Sequence, residues 1–216
     1  MMKIGLVRHF KVKHAYPKNM LVSLDEVVKW FEGYESAEIE IGHVDLNGIE
    51  FKRCYTSSSE RALKTASCIF RGETIILHAL RELDMLPLMN KKRKLPFLLW
   101  AILVRIKSSS SNRITDEFRN NIVAFLDDLL SKNTEDVLIV SHGFVMMLIQ
   151  KELNRRGFEG DGFRVPSMGS CMFSKSNRGS QNRVLQTLRR RYNLRQTTIL
   201  FFIGFAYEKN KSRQLD

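Results

Sequence analysis

The 216-residue chain is long enough to bury one full core, and its 44% hydrophobic and 27% charged residues exclude a disordered or fibrous protein. The net charge of +12 is unevenly spread: from Ser174 onward ten Lys/Arg face only Glu208 and Asp216, so +8 belongs to a tail and +4 to the first 173 residues. Cys54, Cys68 and Cys171 have no metal-ligand spacing and cannot all pair, which points to reduced thiols and a cytoplasmic setting.

The first element in chain order is the apolar run Ile4 to Val7, which reads as a strand covered on both faces and ends in Arg8-His9. Ser23 and Glu26 form a capping-box pattern opening a helix to about Gly33. An acidic stretch, "ESAEIEIGHVDL", follows. "FKRCYTSS" (Phe51 to Ser58) reads as a strand and Ser59 to Phe70 as a helix with Ala62, Leu63, Ala66, Ile69 and Phe70 on one face; Thr74 to Leu80 reads as a strand. The apolar run Leu95 to Val104 is about half the roughly 20 residues a membrane span needs, so it reads as a buried or lid helix behind a solvated "KKRK". A Ser-rich loop covers Ile106 to Arg113, and a helix runs from Asp116 to Leu130. Val137 to Val140 is a second fully covered strand, and the apolar "FVMMLI" after Gly143 is a buried helix. Strands alternating with helices predict an α/β domain over 1–173: a three-layer sandwich, mostly parallel sheet with helices on both faces. Residues 174–216 read as a basic extension.

Ligands of open parallel sheets bind beyond the carboxyl ends of the strands. This chain puts Arg8, His9, Arg61, Glu82 and His142 at such ends. Two arginines offer rigid, permanently charged forks to phosphoryl oxygens. Imidazole, largely neutral at pH 7, is a good nucleophile, and a carboxyl can shuttle the proton of a leaving alcohol. The constellation suits phosphoryl transfer, and no metal or other cofactor is expected. His14, His43 and His78 have no supporting context, and "EGDG" (Glu159 to Gly162) reads as a loop.

"LVRHF" resembles the Leu-x-Arg-His-Gly signature of the histidine phosphatase (phosphoglycerate mutase-like) superfamily. "YTSSSERALKTA" is similar to its second-arginine motif, "VSHG" to its second-histidine motif and, more loosely, "LREL" to its acid motif. The resemblance spans roughly residues 1 to 173. It implies that His9 is the phosphorylated nucleophile, that Arg8, Arg61 and His142 form the phosphate pocket with Ser57 nearby, and that Glu82 is the proton donor with Asp84 as the alternative. Phe10 replaces the family's glycine; with an ordinary dihedral, its ring would point into the cleft and set specificity. The expected activity is metal-independent hydrolysis of a small phosphorylated metabolite through a phosphohistidine. A mutase-like phosphotransferase and a non-catalytic phospho-ligand binder are the alternatives. No membrane contact is expected, nor nucleic acid, for which the tail is the sole suggestion.

Overall fold

The computed structural model describes residues 2–82, 93–109, 113–132, 135–160, 168–169 and 171–176. Its centre is a six-stranded sheet in the order β6-β5-β8-β1-β10-β9. The strands are β1 (Lys3–Arg8), β5 (Arg53–Ser57), β6 (Thr74–Leu77), β8 (Val137–Ser141), β9 (Phe158–Gly160) and β10 (Cys171–Ser176). β6, β5, β8 and β1 run parallel, whereas β10 pairs antiparallel with β1 and β9 antiparallel with β10.

Side-chain alternation divides the sheet into two faces. Ile4, Leu6, Val137 and Ile139 join a core with Ile122, Leu126 and Leu129 of α4 (Arg113–Lys132) and Val145, Met146, Ile149 and Leu153 of α5 (Gly143–Arg155). Val7, Leu138, Val140 and Cys54 face the other way, onto Ala62 and Ala66 of α2 (Glu60–Ile69) and onto Ile39, Val44 and Phe51. This is the expected three-layer α/β arrangement, a mostly parallel sheet with helices on both faces.

A smaller layer lies outside the sheet. It holds the two-residue strands β2 (Lys11–Val12), β3 (Val22–Ser23), β4 (Ile39–Glu40) and β7 (Lys94–Leu95), with helices α1 (Leu24–Ser36) and α3 (Phe97–Ser109). β3 pairs with β7, and Val22, Leu24, Val27 and Trp100 make a separate apolar core. α1 starts on the predicted capping box: the Ser23 hydroxyl accepts from the Glu26 amide while the Glu26 carboxylate accepts from the Ser23 amide.

Three sequence expectations change. α3 extends to Ser109, into the stretch read as a Ser-rich loop. The first residues of "EGDG" belong to β9. The boundary drawn between 173 and 174 falls inside β10, whose Cys171 to Lys175 pair with β1, and the rest of the basic extension lies outside the described residues.

Candidate active site

The carboxyl ends of three adjacent parallel strands converge: β1 delivers Arg8 and then His9, β5 delivers Ser57, and β8 delivers Ser141 and then His142. Two helices begin there as well. His142 is the N-cap of α5, and Arg61 lies in the first turn of α2 behind the N-cap Ser59. Helix N-termini carry unsatisfied amides and the positive end of the dipole, so this edge favours anions before any side chain is counted.

His9 is buried and fixed from both sides. Its amide donates to the Ser141 carbonyl at 3.0 Å, and its ring Nδ1 lies 2.7 Å from the Phe10 carbonyl oxygen. A carbonyl only accepts, so Nδ1 carries the proton and Nε2 is left as the lone-pair nitrogen. The Phe10 amide donates to Thr65 Oγ1 at 2.9 Å, and that hydroxyl donates to the Arg61 carbonyl at 2.7 Å. The backbone that aims His9 is thereby tied to the helix that presents Arg61.

The same reasoning assigns His142. A guanidinium only donates, so His142 Nδ1, 3.2 Å from an Arg61 terminal nitrogen, is the acceptor. Its protonated Nε2 then donates to Ser57 Oγ at 2.9 Å, with Ser59 Oγ at 3.2 Å. The two imidazoles lie with centroids 5.2 Å apart. Burial, assisted by the Arg61 and Arg8 charges and opposed by the Phe10 carbonyl, lowers the His9 pKa from 6.5 to about 3. Burial first and Arg61 next also hold His142 well below the ordinary histidine range. Both rings are neutral at physiological pH.

Arg8 ends β1 with its guanidinium against the start of α5, where a Cβ at Gly143 would stand in ordinary van der Waals contact with it at 3.5 Å. Arg61 is buried, with Tyr34 beneath its guanidinium at 5.3 Å from the ring centroid. The Glu82 carboxylate lies 3.9 Å from both Arg61 and His142 Nδ1. It is positioned by a latch in which Ser141 Oγ donates at 2.7 Å to the carbonyl of Leu80, at the end of the 3-10 turn after β6. Asp84, the alternative acid, falls outside the described residues.

Arg8, His9, Ser57, Arg61, Glu82 and His142 are thus brought together. Phe10 corrects its expectation. Its φ is not positive, so the residue is unstrained there. Its ring, however, is 2% exposed and packed among Val12, Ile39, Val44 and Phe51, against Gly42 and Gly169, not open in the cleft.

The reading of the sequence missed Glu35, whose carboxylate pairs with Arg61 and, at 3.2 Å, with Arg81. It stands in the last turn of α1, at the start of the acidic stretch, where nothing local distinguishes it from its neighbours. Thr65 left a fainter signal, as the one hydroxyl on the Ala62–Ala66–Ile69 face of α2.

A comparison with curated proteins finds no match. Among solved structures, the chain is similar to a protein described as a candidate α-ribazole-5'-P phosphatase from Escherichia coli, at 15% identity and TM-score 0.51, covering 82% of this chain and 92% of that one. It is also similar to a phosphoglycerate mutase from Bacillus anthracis, at 16% identity and TM-score 0.44 over 86% and 96% of the two chains. A phosphoserine phosphatase from Entamoeba histolytica gives 18% identity and TM-score 0.42 over 72% and 81%. The sequence profile of the histidine phosphatase superfamily (branch 1) matches residues 33–189, which take in Arg61, Glu82 and His142; β1 brings Arg8 and His9 to the same site from outside that span, and the chain belongs to this superfamily.

Proposed function

We propose that this protein hydrolyses a small phosphomonoester through a phosphohistidine at His9, without a metal. The observation that carries this reading is the tautomer of His9: with Nδ1 donating to the Phe10 carbonyl, Nε2 is a neutral lone pair on a ring that feels the Arg61 and Arg8 charges. In the first step His9 Nε2 attacks phosphorus. The bond to the ester oxygen breaks, and the departing alcohol takes a proton from the Glu82 carboxyl. In the second step water attacks the same phosphorus, giving its proton to the Glu82 carboxylate. The P–N bond breaks, and inorganic phosphate leaves with His9 restored.

Arg8, Arg61, the His142–Ser57 pair and the two helix N-termini hold the equatorial oxygens, where charge grows in the transition state. Such oriented, desolvated donors cost no reorganisation when the reaction occurs. The test is hydrolysis of para-nitrophenyl phosphate in EDTA by the whole chain. Turnover is expected, and His9→Ala should lower kcat by at least about 10³-fold while inorganic phosphate still binds. Turnover that persists in His9→Ala, or that requires an added divalent ion, would refute the mechanism.

A further inference from the structure

α3 has an apolar side chain at nearly every position from Phe97 to Val104, as a helix buried all round would have. Only one side of it is covered. Phe97, Trp100 and Val104 pack onto the α1 layer, and the Trp100 indole donates to the Val22 carbonyl at 2.9 Å. Leu98, Leu99, Ile102 and Ile106 lie within an arc of about 100° on the other side. They stand in the open, Leu98 at 72% and Ile106 at 61% exposure. The β3–β7 pairing sets Leu21 and Met20, the latter 89% exposed, beside the start of the helix, and Tyr16 packs its ring edge on Phe97 at 5.7 Å. A contiguous apolar surface of this kind on a soluble fold marks a contact site.

The charge around it identifies the partner. Residues 91–109 hold six Lys/Arg and no Asp or Glu, and Arg93 and Lys94 are exposed at the entry to α3. Pairing two copies through this face would set the exposed Arg93 and Lys94 of one against those of the other, in a segment with no acid to offset them. An anionic lipid surface instead meets both features at once: headgroups take the cations, and the leucine and isoleucine side chains enter the boundary with the acyl chains. No helix among the described residues is long and apolar enough to cross a membrane. We infer that the α3 face, with Met20 and Leu21, seats the protein peripherally on anionic membrane, contrary to the expectation from sequence and independently of the chemistry at His9.

The test is flotation of the whole chain with vesicles of phosphatidylcholine containing about one third phosphatidylserine, against phosphatidylcholine alone. Binding is expected to the first only, and added salt should weaken it. The double variant Leu98→Glu with Ile102→Glu should lose at least about tenfold in vesicle partitioning at an unchanged melting temperature. Leu98→Ser with Ile102→Ser provides the same test should the glutamates disturb folding. No flotation with the anionic vesicles, or flotation kept in both folded double variants, would overturn the inference; so would a dimer in light scattering that these variants dissolve, since the face would then belong to a second copy.

Discussion

At the scale of single residues, Arg61 is the point where opposing demands meet. A guanidinium meant to bind a dianion already has a carboxylate, Glu35, on one terminal nitrogen and Glu82 at 3.9 Å from the other. Glu35 also holds Arg81, so it is anchored from two sides. An arriving phosphate must share or displace that contact. Removing the Glu35 charge without shortening the side chain leaves Arg61 more positive toward the pocket. Glu35→Gln is therefore expected to tighten inorganic phosphate binding by about three- to tenfold, the size of a partly exposed ion pair. Calorimetric titration measures this directly. Weaker binding in the variant would mean that Glu35 serves chiefly to orient Arg61.

At the scale of elements, what was legible depended on how locally each element is encoded. β1 and β8 are apolar runs buried on both faces, and α1 announces itself through Ser23 and Glu26. β10 was missed because most of its pairing is with β1 at the far end of the domain, from Lys3–Lys175 to Val7–Cys171, and its nearer partner β9 is only three residues long. Phe10 was misplaced for a related reason. Its neighbours in space, Val44, Phe51, Gly42 and Gly169, come from segments whose folding the local pattern did not reveal. The ring joins the end of β1 to that outer layer. Phe10→Ala should accordingly cost about 3 kcal/mol in urea unfolding, the price of a buried aromatic cavity. Turnover of an aryl phosphate should change little, because the carbonyl that orients His9 belongs to the backbone. A large change in substrate preference at unchanged stability would instead restore Phe10 as a specificity element.

At the scale of the whole molecule, the site was readable in outline because its chemistry sits at strand ends, which topology must gather at one edge. Its protonation was not readable, since that depends on burial, which the motifs do not encode. Burying two neutral histidines links the site to the stability of the fold. The unfolded chain takes up a proton at His9 near pH 6.5, whereas the folded chain does so only near pH 3. Between those values the unfolded state binds more protons, so stability must fall as the pH is lowered. The slope is about 1.4 kcal/mol per pH unit for each such histidine, and His142 acts in the same direction. The lowered carboxylates Glu26 and Glu152, with ordinary values of 4.5, add their own loss of stability only below about that pH. The interval from pH 6.5 to 4.5 therefore isolates the histidines from these carboxylates. Urea unfolding of the whole chain across it should show a decline that is roughly halved in His9→Gln, which keeps the bulk of the ring but not its titration. A decline of equal slope in the variant would mean that His9 gains its proton in the folded protein, and the neutral nucleophile would have to be abandoned.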